Sequence, residues 1–208
     1  LVIEAASESL ALKKEVFSEL DRICPPQCLL ASNTSCLSVI DLARATKRPE
    51  KVLGLHFFNP VAMMRLIEVV RTLVVSDETI EMGKAFGTSL GKTVIVAPDT
   101  PGFVVNRLLM PFMLGAFRLF ETGAVSKEAI DDGARLGLGH PMGPLKLADL
   151  VGLDTVLFIA NAIYDELKDP LYAPPLLLKK MVTAGWLGRK SGRGFYDYRE
   201  EKESGGEI

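Results

Sequence analysis

The sequence predicts an α/β domain followed by an all-α domain, with a mostly parallel sheet in the first. Up to residue 98, short apolar strands alternate with helical stretches, an order typical of parallel sheets covered by helices. Beyond residue 98, apolar residues recur with a helical period, and the longest strand signal is residues 194–198. We therefore predict two domains, residues 1–98 and residues 99–208.

The first domain is predicted to alternate strands and helices from its first residue. The predicted strands cover residues 1–5, 28–32, 52–58, 66–70 and 92–97, and the predicted helices cover residues 8–23, 39–45 and 77–90. Ser76 is a suitable N-cap for the last helix, which has Asp77 in its first turn. Residues 1–5 form an apolar strand without a polar lead-in, so we expect residue 1 to lie in the middle of a longer protein.

The second domain is predicted to begin with a long apolar helix over residues 102–121. Thr100 and Pro101 are a good N-cap and N1 pair for it. Further helices are predicted at residues 127–136, 144–150, 154–167 and 175–184. The polar tail, residues 199–208, is predicted to fray.

Composition excludes several classes of function. A formal net charge of −2 provides no basic field for nucleic acid, and no apolar run is as long as a membrane span. The three cysteines, Cys24, Cys28 and Cys36, lack the second ligand pair that a zinc site needs, so we predict no metal. Buried, reduced thiols are typical of the cytoplasm or, in a eukaryote, the mitochondrial matrix, and we expect a cytoplasmic protein.

His56 and Glu68 are the candidate catalytic pair. Each is an ionisable residue inside an otherwise apolar strand, a costly arrangement unless the two satisfy one another. If the strands form a hairpin around residues 60–64, His56 and Glu68 face each other across it. A carboxylate beside an imidazole selects one tautomer and makes a competent general base. The alternative is a buried His–Glu pair that only fastens two strands, and spacing alone leaves both open.

Neighbouring polar residues favour the catalytic interpretation. Ser-Asn-Thr-Ser at residues 32–35 follows a buried strand at its carboxyl end, where open α/β sheets bind ligands. The same residues also suit a turn or a helix N-cap. Asn106 is predicted one turn into the first helix of the second domain, where it could face a cleft between the domains; an ordinary solvated or capping asparagine is the alternative.

The sequence resembles the 3-hydroxyacyl-CoA dehydrogenase family over essentially its whole length. The matching strings are Ala-Ser-Asn-Thr-Ser at 31–35, Gly-Leu-His-Phe-Phe-Asn-Pro at 54–60, Asp-Thr-Pro-Gly-Phe-Val-Val-Asn-Arg at 99–107, Pro-Met-Gly-Pro at 141–144, Val-Gly-Leu-Asp at 151–154 and Gly-Arg-Gly-Phe-Tyr at 192–196. The most diagnostic is His-Phe-Phe-Asn-Pro. The resemblance implies a partial Rossmann-type domain over residues 1–98 and a helical domain for dimerisation and substrate binding over residues 99–208.

The resemblance also implies roles for individual residues. His56 would take the proton of the substrate 3-hydroxyl while hydride leaves C3 for NAD, and Glu68 would orient His56. Ser35 would contact the reacting oxygen region and the cofactor, and Asn106 would position the acyl-CoA. The cofactor contacts implied are Glu8, Lys13, Ser35, Asn59 and Lys190. Without the resemblance, Lys13 and Lys190 would be interpreted as exposed cations.

The sequence departs from the family pattern at its start. The family opens with a Gly-x-Gly-x-x-Gly turn whose helix N-terminus binds the pyrophosphate, and this sequence contains no such turn. We therefore expect this segment alone to bind NAD poorly and to turn over slowly or not at all.

Two other functions remain open. Lens lambda-crystallin resembles these enzymes, so a non-catalytic structural role is possible, although it would not need His56. The helical half can also serve as a dimerisation module, and the resemblance implies a homodimer. His140 is interpreted as a loop residue, and the aromatic residues of the second half as packing residues: Trp186, Phe195, Tyr196 and Tyr198.

Overall fold

A computed structural model describes residues 1–199 and divides the chain into two compact units, the first spanning Leu1–Val105 and the second starting at Asn106. The predicted fraying of residues 200–208 lies outside the described residues. Each unit has its own apolar core.

The first unit contains a five-stranded sheet in which neighbours in sequence are neighbours in space. Its strands are β1 (Val2–Glu4), β2 (Leu30–Ser32), β3 (Val52–Phe57), β4 (Leu66–Arg71) and β5 (Thr93–Pro98). All pairings are parallel except β3 with β4, which is antiparallel. The predicted mostly parallel sheet is confirmed. Because the strand direction reverses between β3 and β4, the carboxyl ends of β1, β2 and β3 lie at the same edge of the sheet as the amino end of β4.

Three helices cover the two faces of this sheet: α1 (Leu10–Ile23), α2 (Val39–Ala43) and α3 (Asp77–Ser89). A serine side chain accepts from the first turn of each helix, and the predicted cap Ser76 is one of them. Strand residues alternate between two cores, with Leu30 in the core that includes α1 and α2, and Ala31 in the core that includes α3. Both faces are therefore buried, as expected for a parallel sheet.

The segment before the long helix differs from the prediction. Helix α4 spans Val105–Glu121, so Thr100 as its N-cap is wrong. Thr100 instead begins a turn, closed by the Phe103 N–H donating to the Thr100 carbonyl oxygen at 2.9 Å. Gly102 and Phe103 have φ of 77° and 46°, and a right-handed helix cannot continue through residues in this region.

The second unit is helical, as predicted. After α4 come α5 (Lys127–Asp132), a π-helical turn (Gly133–Gly137), α6 (Pro144–Val151), α7 (Leu153–Leu167) and α8 (Leu176–Thr183). Within residues 194–198, Phe195 and Tyr198 are buried, which confirms their interpretation as packing residues. Asp149, which the sequence did not single out, accepts hydrogen bonds from both, and burial raises the pKa of its carboxyl.

Within residues 1–199, no group of three or more His, Cys, Asp or Glu side chains is placed to hold a metal ion. No single helix in this part of the chain has the length and apolar character of a bilayer span; α6 and α7 reach that length only together, and they meet at 97°.

Candidate active site

His56 and Glu68 face each other across the β3–β4 pair, as the hairpin hypothesis predicted. They are direct partners in the antiparallel register, and the His56 Nδ1 lies 2.6 Å from the Glu68 Oε2. Both side chains are buried. A carboxylate without a proton can only accept, so a neutral His56 beside an ionised Glu68 donates from Nδ1 and carries its lone pair on Nε2. The predicted pairing is confirmed, and with an ionised Glu68 it selects the tautomer that a base requires.

The second oxygen of Glu68 caps helix α4. Its Oε1 accepts from the backbone N–H groups of Val104 and Val105, each at 3.0 Å. A carboxylate at a helix N-terminus satisfies N–H groups that have no partner within the helix, and it interacts favourably with the helix dipole. The turn at residues 100–103 turns these N–H groups towards the strand. Glu68 is therefore fixed from two sides, by an imidazole and by a helix start.

The exposed part of His56 is small but chemically useful. Its side chain is 6% exposed, and the rings of Phe58 and Phe103 lie 4.5 Å and 5.6 Å from its own. Among the described residues Nε2 has no hydrogen-bond partner, and it is not among the polar side-chain atoms that are both fully buried and without a partner. Apolar walls with one open nitrogen suit proton exchange with a bound hydroxyl rather than with bulk water.

The loop after β2 lies at the same sheet edge and is tied to its neighbours by hydrogen bonds. The Asn33 Oδ1 accepts from the backbone N–H of Phe57 at 2.9 Å, which fastens the loop beside His56. Thr34 Oγ1 donates to the Glu8 carboxylate at 2.9 Å, and the Ser35 N–H donates to it at 2.6 Å. The hydroxyl of Ser35 has no partner within the described residues, so it is available to a ligand.

Lys13 is placed differently from a surface lysine. Only 1% of it is exposed, so its interpretation as an exposed cation is wrong. Its ammonium donates to both carboxylate oxygens of Glu4, at 2.8 Å and 3.0 Å, and to the carbonyl of Ala6 at 3.0 Å. Glu4 was not predicted as a site residue, although a lone acid at the end of an apolar strand is the same costly feature that identified Glu68. A direct cofactor contact by Lys13 stays a prediction, and it would require one of these bonds to be released.

The other three predicted site residues are spread along the chain. Asn59 is exposed, directly after Phe58. Asn106 is the second residue of α4, so its predicted position one turn into the helix is wrong, because the helix begins at Val105. Lys190, in the second unit, donates to the Asp154 Oδ2 at 2.7 Å. The roles of all three stay predictions.

Family models match both halves of the chain. Residues 1–100 match the NAD binding domain of 3-hydroxyacyl-CoA dehydrogenase, and residues 102–198 match the C-terminal domain of the same family. Together these matches cover most of the sequence, so the likeness does not depend on one motif.

Individual proteins give the same result. The chain is 52% identical over 200 residues to a 3-hydroxybutyryl-CoA dehydrogenase of Mycobacterium tuberculosis, covering 95% of this chain and 70% of that protein. It is 46% identical to the human mitochondrial hydroxyacyl-coenzyme A dehydrogenase, covering 96% and 64%. The crystal structure of (S)-3-hydroxybutyryl-CoA dehydrogenase PaaH1 from Ralstonia eutropha superposes with a TM-score of 0.92 at 47% identity, covering 95% and 70%.

Proposed function

The chain belongs to the 3-hydroxyacyl-CoA dehydrogenase family, and from this premise we propose that it oxidises (S)-3-hydroxyacyl-CoA to 3-oxoacyl-CoA with His56 as the general base. Oxidation of this kind serves fatty-acid β-oxidation or butanoate metabolism. The observation that carries the proposal is the open Nε2 of an imidazole whose other nitrogen is bound to a buried carboxylate. The (S) configuration is the one in the name of the Ralstonia eutropha protein.

The donor set at the sheet edge fits NAD, the cofactor of this family. The Glu8 side chain is 29% exposed at the carboxyl ends of β1 and β2, and a carboxylate accepts hydrogen bonds from ribose hydroxyls. The free hydroxyl of Ser35 lies on the same loop system. Bound there, NAD would supply a two-electron acceptor for the hydride that leaves C3 of the substrate.

Residues of this chain would accept the proton that the substrate 3-hydroxyl loses. As C3 loses hydride, the 3-hydroxyl loses its proton to the His56 Nε2, and the hydroxyl carbon becomes a carbonyl. The imidazole then carries a positive charge, which the Glu68 carboxylate stabilises through the Nδ1–H. In the reverse reaction the same nitrogen returns the proton. Ser35 would hydrogen-bond the reacting oxygen region, and Asn106 would position the acyl-CoA.

The proposed activity is tested by following NADH absorbance in the protein as its gene encodes it. We expect NAD reduction with (S)-3-hydroxybutyryl-CoA and, in reverse, NADH oxidation with acetoacetyl-CoA. The (R) isomer is the matched control, because it directs the hydride or the hydroxyl away from its acceptor. Equal rates with both isomers, or no rate with either, would contradict the proposal.

A non-catalytic role like that of lens lambda-crystallin is not favoured. The relatives described above are named as dehydrogenases. A His–Glu pair that only held two strands together would also not need an imidazole nitrogen without a hydrogen-bond partner.

We also propose that the helical unit forms a homodimer. Exposed apolar side chains on this unit support the proposal, among them Leu108, Leu119 and Leu176, which are 73%, 44% and 61% exposed. A groove of about 330 Å³ on the same unit is lined by Phe120, Glu121, Leu176, Leu177 and Lys180. Sedimentation at micromolar concentration should give twice the mass of one chain, and a single-chain mass would exclude the dimer.

For location we propose the cytoplasm, or the mitochondrial matrix in a eukaryotic source. All three cysteines are free thiols, which suits a reducing compartment. Fractionation of the source cells tests this, and recovery from an oxidising compartment would contradict it.

A further inference from the structure

We propose that Glu4 is a positioning residue, which fixes the Ser35 loop for the reaction by acting through Ser32. This inference rests on the proposed function, since it assigns Ser35 and Glu8 to ligand contact. Glu4 itself is buried and would touch neither substrate nor cofactor.

The carboxylate of Glu4 joins three parts of the sheet edge. It forms an ion pair with Lys13 of α1, accepts from the Ala6 N–H at 2.5 Å, and accepts from the Ser32 hydroxyl at 2.7 Å. Glu4 and Ser32 are also direct partners in the β1–β2 register. The start of α1, the β1–α1 loop and the end of β2 therefore share one anchoring carboxylate.

Hydrogen bonds lead from this anchor to the Ser35 loop by two routes. In the first, the Ser32 Oγ accepts from the Thr34 N–H at 3.3 Å. In the second, the loop anchored at Ala6 carries Glu8, which accepts from the Thr34 hydroxyl and the Ser35 N–H. The first route holds Thr34, directly before Ser35, and the second reaches both Thr34 and Ser35 itself.

A geometric role explains this arrangement better than a stabilising one. A buried ion pair gains little net stability over an apolar pair, because removing both charges from water is costly. Displacing a reactive group by about 1 Å, in contrast, can cost about a hundredfold in rate. An anchor with bonds to a helix, a loop and a strand restricts such displacement.

The first test removes the link without leaving a buried charge unpaired. Ser32→Ala keeps the Glu4–Lys13 pair and deletes only the hydroxyl between Glu4 and Thr34. We expect kcat to fall about tenfold to thirtyfold at saturating NAD and substrate, with the pH–rate profile unmoved because His56 is unaltered. Glu4→Gln should have a similar or larger effect.

The matched control is Thr72→Ala. Thr72 is also buried, and its hydroxyl also braces a loop, accepting from the N–H groups of Val74 and Val75, but it follows β4 at the opposite sheet edge. Thr72→Ala should lower the melting temperature about as much as Ser32→Ala does and leave kcat unchanged. Glu15→Gln, at an exposed position of α1, is the control for Glu4→Gln.

A double-mutant cycle with Ser35→Ala separates positioning from general destabilisation. If Ser32 acts through Ser35, adding Ser32→Ala to Ser35→Ala should lower kcat by less than about threefold. The proposal would be overturned if the fold-losses in kcat of Ser32→Ala and Ser35→Ala simply multiplied in the double variant, or if Ser32→Ala alone left kcat unchanged. Failure of the proposed function is recognised separately, because the unsubstituted protein would then be inactive towards hydroxyacyl-CoA.

A measurement without turnover completes the test. The Ser35 amide proton, bonded to Glu8, should exchange with solvent at least about tenfold faster in Ser32→Ala than in Thr72→Ala. Equal exchange rates in the two variants would overturn the proposal whatever the activity.

Discussion

Replacing His56 with glutamine is expected to lower kcat for (S)-3-hydroxyacyl-CoA oxidation by about a thousandfold. General-base catalysis contributes about 10²–10⁴ in rate, and an amide cannot accept the hydroxyl proton. Glutamine can still donate to the Glu68 Oε2, so the β3–β4 pair and the cap of α4 should persist. The measurement is initial-rate NADH formation at saturating substrate, with melting temperature recorded alongside.

His140→Gln is the matched control, because it makes the same change at the other of the two histidines. His140 is exposed and stacks on Phe112, with ring centroids 4.7 Å apart, and no carboxylate of residues 1–199 is paired with it. Its replacement should leave kcat unchanged. If His56→Gln kept kcat within a factor of about ten of the unsubstituted enzyme, His56 would not be the base.

Replacing Glu68 with glutamine is expected to lower kcat by about 10²–10⁴ while largely preserving the fold. The amide oxygen can continue to accept from Val104 and Val105. Its NH₂ group then faces the His56 Nδ1 and donates to it, so the imidazole must carry its proton on Nε2. The nitrogen that should accept the hydroxyl proton would already be protonated.

Glu68→Ala separates this tautomer effect from the capping effect. It leaves two backbone N–H groups at the start of α4 without an acceptor, at about 1–3 kcal/mol each, so the free energy of unfolding should fall well below that of Glu68→Gln. Exposed Glu81→Gln is the control for the amide substitution itself. Near-normal kcat in Glu68→Gln would mean that the carboxylate does not select the tautomer.

The sequence was sufficient to predict that His56 faces Glu68, because hairpin symmetry constrains the register of the two strands. Two ionisable residues equidistant from residue 62 face each other in such a hairpin, and pairing lowers the cost of burying both. The strands were predicted to within two residues of the observed bounds, since short continuous apolar runs are typical of strands that are buried on both faces.

The beginning of α4 was predicted wrongly because two local signals competed. Thr100-Pro101 suits a helix start, but Pro101-Gly102 equally suits a turn, and the tertiary bond to Glu68 decides between them. The cap is a side chain from a strand distant in sequence, so no local pattern could identify it.

The burial of Lys13 also could not be predicted from the local sequence pattern. Lysine in an amphipathic helix is ordinarily solvated, and its burial depends on Glu4 and Ser32, which come from different strands. Glu4 itself could have been noticed, since it is an acid at the end of an apolar strand. The network that it organises required the sheet register.

The tautomer of His56 tests most directly whether Glu68 prepares this imidazole as a base, and it can be observed without turnover. With only two histidines, labelling histidine nitrogens for heteronuclear NMR gives one buried and one exposed ring to assign. At a pH where both rings are neutral, we predict that His56 carries its proton on Nδ1 and none on Nε2, and that Glu68→Gln has the reverse tautomer. A proton found on Nε2 of the unsubstituted protein would contradict this prediction.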